Sequence, residues 1–408
     1  MSTQPLHPVG LKSQPVNFRA LPPLSLYIHI PWCLRKCPYC DFNSHEARGA
    51  VPEDAYVAAL IRDLELALPS VWGRPVYTVF IGGGTPSLLS AAAVTKILDA
   101  VRMLLPLALN AEITLEANPG TAEAERFAGY RAAGVNRLSL GIQSFNDEHL
   151  KALGRIHDAA QARRAIDIAQ QHFANCNLDL MYGLPGQTLQ QAEQDLRGAL
   201  EFAPQHLSCY HLTLEPNTLF AHQPPPLPDD DASHAMQQRI EQLLAEHGYR
   251  HYETSAFAQP KKPSRHNLNY WQFGDYLGIG AGAHSKLSFP DKVVRQMRHK
   301  QPQAYLDATA RNEPQQSAHE VSKDELAFEF MMNALRLNQG FDEALFEERT
   351  SLPLLVVRRE LEEAERRGLL QRAAGRIAPT ELGQRFLNDL LHIFLAAEHQ
   401  VPHAVPQP

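Results

Sequence analysis

Strand-length apolar runs alternate with amphipathic helical stretches over the first half of this 408-residue chain, and that alternation limits its fold more than any other feature. The apolar runs lie at 24–30, 76–82, 112–117, 136–141, 177–182 and 207–214. Between them, helical patterns cover 54–68, 91–105, 122–133, 159–172 and 190–202. Their apolar residues recur at three- and four-residue spacing, as in Tyr56, Leu60, Leu64 and Leu68. Such an order requires parallel strands with crossover helices, hence an α/β barrel or an open sheet. The length allows one large α/β domain and a smaller one.

After 214 the pattern breaks. A proline-rich run from Gln223 to Pro228, followed by Asp229, Asp230 and Asp231, reads as a stiff linker with a helix start after it. A helix over 233–247 and a strand over 249–255 follow. Next come a polar segment at 259–265, the sequence His266-Asn267-Leu268-Asn269-Tyr270-Trp271, and a glycine-rich stretch at 278–285. From about 317 onward the chain turns helical, with amphipathic stretches at 325–337, 353–367 and 380–395 and a short hairpin near 369–377. That order resembles a winged helix, but no recognition helix carries a basic surplus, and the net charge of −7 argues against general nucleic-acid binding. No apolar run reaches the roughly 18 residues of a membrane span. The first 23 residues read as a flexible Pro-rich lead without the apolar core of a signal peptide, so a cytoplasmic location is expected. The expected divisions are therefore 1–23, a main domain over 24–230, a barrel-completing region over 231–316, a helical domain over 317–395 and a tail over 396–408.

Chemistry concentrates directly after the first apolar run. Cys33, Cys37 and Cys40 are separated by three and two residues and make up three of the five cysteines. In a reducing compartment this spacing favours metal over disulfides. Cys176 and Cys209 stand apart and read as small buried side chains. Three thiolates on one loop can bind one face of an iron–sulfur cluster; a cube usually takes four, so one iron would stay open. The other reading is structural zinc, with His29 or His45 completing the set, although no second knuckle is present.

Polar or glycine-rich residues end the following apolar runs. They are Gly82-Gly83-Gly84-Thr85, Glu116, the segment Gly141-Ile142-Gln143 with Arg155 after it, and Asp179 within an apolar run. A carboxylate in that setting requires a partner or a ligand. With Tyr39 beside the third cysteine, the loop resembles that of the radical S-adenosylmethionine (SAM) superfamily. The resemblance implies a partial (β/α)6 TIM-like barrel with a small, mostly helical C-terminal domain. It further implies a [4Fe–4S] cluster on Cys33, Cys37 and Cys40, and SAM on the open iron, cleaved by an electron from the cluster. Roughly residues 24 to 390 resemble one branch, the oxygen-independent coproporphyrinogen III oxidase group. Carried over, Tyr27, Tyr39, Gly83 and Glu116 would contact SAM, and Gly84, Thr85, Gln143, Arg155 and Asp179 match positions contacting that SAM or a second one.

Two departures separate the chain from the decarboxylating oxidases. Phe42 stands where they carry a further cysteine, and only 32 residues precede Cys33. Both are similar to the sister HemW family of haem chaperones, whose His-Asn-x-x-Tyr-Trp motif is matched by His266, Asn267, Tyr270 and Trp271. The resemblance implies haem contact at these four, with the histidine as axial ligand and the aromatic rings against the porphyrin. His284 is a lesser candidate that could instead line the SAM pocket. The expected function is haem binding and transfer to acceptor haemoproteins, with a cluster, SAM and an electron donor, without coproporphyrinogen oxidase activity. The alternative is the oxidase itself. A homodimer is an open alternative, and neither nucleic acid nor an integral membrane segment is expected.

Overall fold

The central strand of the molecule is β1 (Leu24–Ile30), and the chain winds outward from it in both directions. The computed structural model describes residues 16–120 and 124–395. After β1 come β2 (Val76–Gly83), β3 (Leu107–Ala117), β4 (Arg137–Gln143), β5 (Cys176–Tyr182) and β6 (His206–His211). The crossovers between them carry α1 (Glu53–Val71), α2 (Ala91–Leu104), α3 (Phe127–Ala133), α4 (Ala159–His172) and α5 (Leu189–Leu200). Downstream, α6 (Asp230–Glu246) leads to the short strands β7 (Arg250–Glu253) and β8 (Ala256–Ala258). Helix α7 (Arg265–Trp271) precedes β9 (Asp275–Ile279), β10 (His284–Phe289), β11 (Lys292–Arg298) and β12 (Gln315–Glu320). All twelve form one sheet in the order β12-β11-β10-β9-β1-β2-β3-β4-β5-β6-β8-β7. From β9 to β6 neighbours run parallel; the outer strands on both edges are antiparallel. The two ends of this order do not pair, so the sheet remains an open, partial barrel.

The strands carry two different faces. Leu24, Leu26, Ile28 and Ile30 of β1 join Val79, Ile81, Leu115, Leu138, Leu140, Leu178 and Leu207 in the main hydrophobic core beneath the helices. Alternate positions point the other way, as a period of two requires. They are polar: Ser25, Thr78, Thr114, Ser139, Asn177 and Ser208 are all buried. The concave side of the sheet is therefore a hydrogen-bonding surface, and it positions the site.

Local signals set the helix starts. Asp158 and Thr188 each close a capping box at the head of α4 and α5, and Asp229 caps α6 directly after the proline-rich run. A second core gathers Phe330, Phe341, Phe346, Leu361 and Ile377, with Val293 contributed from the large sheet and Phe273 from the turn between α7 and β9. It holds α8 (Lys323–Ala334) and a three-stranded sheet that includes Leu370–Ala373 and Arg376–Pro379, the hairpin expected near 369–377.

The sequence reading differs from the structure in three places. The chain does not turn helical at 317: Gln315–Glu320 is an edge strand, exposed at every residue and held by backbone pairing to β11. The strand expected over 249–255 is the first arm of a hairpin, β7 and β8. The helix expected over 122–133 begins at Phe127, with 121–123 outside the described residues. The expected segments 1–23 and 396–408 likewise lie wholly or largely outside them.

Candidate functional site

The cysteine loop leaves the carboxyl end of β1 and is tied at its base before it reaches the first thiol. Trp32–Cys33 pairs with His45–Glu46, and the amides of His45 and Ala47 donate to the carbonyls of Pro31 and Cys33 at 2.7 and 2.9 Å. At the tip, the Cys40 amide donates to the Cys37 carbonyl at 3.2 Å. The Asn43 amide Nδ2 reaches across to the carbonyls of Ala281 and Lys300, both at 2.9 Å, which fastens the loop to the glycine-rich segment. His29 bridges Tyr27 Oη (3.0 Å) and the Asn43 carbonyl (2.9 Å) beneath it. The loop is thus clamped from both sides of β1.

Cys33, Cys37 and Cys40 are free thiols, half-buried on one cavity of about 370 Å³. Burial pushes up the thiols of Cys33 and Cys40, while the Thr85 and Ser44 hydroxyls oppose the shift. Gly83 ends β2 against the loop and Gly84 follows it. A Cβ on Gly84 would come 2.6 Å from the Trp32 carbonyl oxygen and 3.1 Å from Cys33 Sγ. Gly83 has φ +117°, and its Cβ would strike the His29 ring. These glycines permit the close approach of strand end and loop.

Around the same cavity stand most of the other residues expected there: Tyr39, Thr85, Glu116, Gln143, Arg155 and Asp179. Arg155 donates to Asn118 Oδ1 (2.7 Å) and the Gly141 carbonyl (2.9 Å), with Nη1 3.7 Å from Cys37 Sγ, while its buried Nε has no partner among the described residues. Glu116 accepts from the Gly83 amide at 3.1 Å; burial, with the nearby Asp179, pushes its carboxyl up to about 8. Asp179 is likewise raised by burial, and its partners are neutral donors, Asn177 at 2.8 Å and Ser139 at 3.1 Å. Gln143 adopts φ 68°, a left-handed conformation costly for a side chain of this kind. Strain of this sort collects where surrounding contacts fix a site.

Tyr27 faces elsewhere. It lines a second cavity of about 670 Å³ that shares Asp41, Phe42, Gly83 and Glu116 with the first as a common wall. The motif on α7 splits between these spaces: Asn267 lines the first cavity, Tyr270 and Trp271 line the second, and His266 lines neither. Ser264 caps that helix, which turns His266 inward to 1% exposure. Its Nδ1 lies 2.8 Å from Thr78 Oγ1 and its Nε2 3.0 Å from Tyr270 Oη. Burial, then the charge of Arg137, lowers its pKa to about 3, so it is a neutral ring with both nitrogens committed.

Sequence reasoning missed Asn118, Arg137, Asn177 and Ser208 on the first cavity, and Tyr276, Arg295 and Lys300 on the second. For the strand residues a signal was present, since polar side chains recur at every second position of β4 to β6. Lys300 carries no such pattern.

The donor set suits a cluster better than a single ion. Among the described residues, no group of three or more His, Cys, Asp or Glu is arranged to hold one metal ion. A cube takes one thiolate per iron, so its ligands need not converge on a point. The Arg155 guanidinium beside Cys37 also supplies positive charge to a thiolate-bound group.

Residues 27–198 match the radical SAM superfamily, and residues 321–386 match the HemN C-terminal domain. The heme chaperone HemW of Escherichia coli K12 is 52% identical over 378 residues, which cover 92% of this chain and 99% of that one. HemW of Bacillus subtilis 168 is 34% identical over 380 residues, covering 91% and 99%. Among solved structures, the coproporphyrinogen III oxidase HemN from E. coli, described as a radical SAM enzyme, aligns with a TM-score of 0.78. It shares 25% identity and covers 92% of this chain and 90% of that one.

Proposed function

The chain belongs to the HemW family of haem chaperones within the radical SAM superfamily, and we propose that it carries haem in the second cavity, beside the cysteine loop, for delivery to acceptor haemoproteins. The observation that carries this reading is the shared wall. A 670 Å³ space falls in the range of ligand cavities, and it opens against the cysteine cavity through Asp41, Phe42, Gly83 and Glu116. Cargo there would lie next to the cofactor pocket without occupying it.

Cys33, Cys37 and Cys40 would hold the [4Fe–4S] cluster. With SAM bound, cluster and cofactor supply one-electron chemistry at a sulfonium. The chain's own residues have separable tasks. Arg155 sets positive charge against the Cys37 side of the loop and is held there by Asn118 and Gly141. Glu116, at the end of β3, faces the cavity, where its carboxylate would accept from the amino group of SAM as well as from the Gly83 amide. Gly83 and Gly84 leave backbone accessible beside it, while Thr85, Gln143 and Asp179 extend the polar wall.

Phe42 is 60% exposed and borders both cavities. In the oxidase pattern a cysteine would stand there. An apolar ring at this boundary offers porphyrin a packing surface. Tyr270 and Trp271 add two more rings to the second cavity, and His266 supports Tyr270 through a hydrogen bond. The protein is proposed to work in the cytoplasm; among the described residues no helix is long and apolar enough to cross a membrane. Titration of anaerobically reconstituted protein with haem tests the reading. Saturation near one haem per chain is expected, and absence of saturable binding would overturn it.

A further inference from the structure

Of the histidines around the two cavities, His284 alone combines exposure to the second cavity with uncommitted ring nitrogens. It begins β10 directly after a glycine turn in which Gly280 and Gly282 adopt φ 101° and 80°. Those glycines are required by close packing: a Cβ on Gly282 would strike the Asn43 side chain, and one on Gly280 would lie 2.4 Å from the His29 carbonyl oxygen. The same Asn43 that anchors the cysteine loop therefore fixes the turn that presents His284. Among the described residues neither of its ring nitrogens has a hydrogen-bond partner. By contrast, His266 spends both nitrogens on Thr78 and Tyr270, and His29 spends both on Tyr27 and Asn43.

The surroundings of His284 suit a metal-binding imidazole and an anionic, flat ligand. Partial burial, then the positive charges of Lys300 and Arg295, lower its pKa, so the free-base ring predominates at neutral pH. The Lys300 side chain is exposed on the same cavity and makes no ion pair among the described residues. Arg295 is engaged, pairing with Glu329 at 2.7 Å and donating to Tyr276 Oη. That leaves Lys300 as the cation free for a carboxylate.

We propose that His284 is the axial ligand of haem iron in the second cavity, with Lys300 receiving a propionate and Phe42, Tyr276 and Trp271 walling the porphyrin. The inference rests on the haem-carrier reading and assigns the iron ligand to the glycine-rich turn instead of the α7 motif. No electron is transferred in this step: a neutral imidazole nitrogen donates a lone pair to the iron.

The test uses the full chain, anaerobically reconstituted with cluster and SAM and titrated with ferric haem without reductant. Resonance Raman with Soret excitation reports the haem against the cluster background. Wild type is expected to give a histidine-ligated spectrum. His284→Ala should lose it and recover it on addition of free imidazole, and His284→Met should give a thioether-ligated spectrum. His266→Ala should keep histidine ligation. Lys300→Glu should weaken haem binding about tenfold, a figure typical of one charge-assisted contact, without changing the ligand spectrum. Histidine ligation that survives in both His284 variants overturns the assignment and leaves the chaperone reading standing. Wild type that takes up no stoichiometric haem overturns the chaperone reading itself.

Discussion

Glu116 is a buried carboxyl on the first cavity whose charge state responds to what fills it. Its folded pKa of about 8 lies above the ordinary carboxyl value of 4.5, because burial and Asp179 disfavour the anion. Between those values the folded state holds a proton that the unfolded state releases. Stability contributed by this group is therefore lost as pH rises from about 4.5 to about 8. An amino group of SAM that donates N–H to this carboxyl reverses the preference, since a hydrogen bond to the charged form favours the anion. SAM affinity should accordingly rise with pH up to about 8, by up to about tenfold per unit. Equilibrium titration at several pH values checks this, and Glu116→Gln should both weaken binding and flatten the profile. A steep profile retained in Glu116→Gln would place the titrating group elsewhere. Gly84 offers a second, purely steric test. A methyl group there meets the backbone of Trp32, so Gly84→Ala should cost about 1–3 kcal/mol and lower the iron content after reconstitution. Iron quantitation at wild-type levels would contradict the packing argument.

The strands and helices show why parts of the fold were legible and others not. Strand β1 was recovered with its observed limits, Leu24–Ile30, because Leu24, Leu26, Ile28 and Ile30 recur at every second position, the period of a strand. Helix α4 was recovered at Ala159–His172 from the spacing of its apolar residues, and the structure adds a capping box of Asp158 and Gln161 at its head. Asp158→Ala should therefore cost about 1 kcal/mol, read by denaturant unfolding. Strand β12 left no such trace: Gln315–Glu320 is polar, exposed along its length and specified only by backbone pairing with β11. The site was half legible for a related reason. Asp179 stood out as a charge in an apolar run. Asn177 and Ser208 were ordinary polar residues until the sheet placed them beside it on one face. His266 was found by its motif, but only tertiary structure shows that Thr78 and Tyr270 already occupy its ring.

Across the molecule, segments far apart in sequence converge on β1. Strand β9 pairs with it on one side and β2 on the other, so the glycine-rich turn and the cysteine loop emerge side by side. A buried cluster holds β9 to β10. Asp275 pairs with Lys286 at 2.9 Å and Arg74 at 2.8 Å and accepts from the Ser288 amide and hydroxyl. Lys286→Met leaves part of that buried charge uncompensated and should destabilise the fold by about 3–5 kcal/mol, visible as a lowered Tm. The second core packs Val293 of the large sheet and Phe273 of the turn before β9 against the C-terminal helices, and Asn333 of α8 reaches the second cavity. Movement of that domain would thus bear directly on the cavity proposed for haem. The role proposed for this chain is to carry a porphyrin without transforming it. It is tested most directly on one anaerobic sample reconstituted with cluster, SAM and reductant, offered haem, an apo-haemoprotein and coproporphyrinogen III. Stoichiometric haem uptake, passage of haem to the apoprotein and unchanged coproporphyrinogen III are expected; turnover to protoporphyrinogen would contradict the claim.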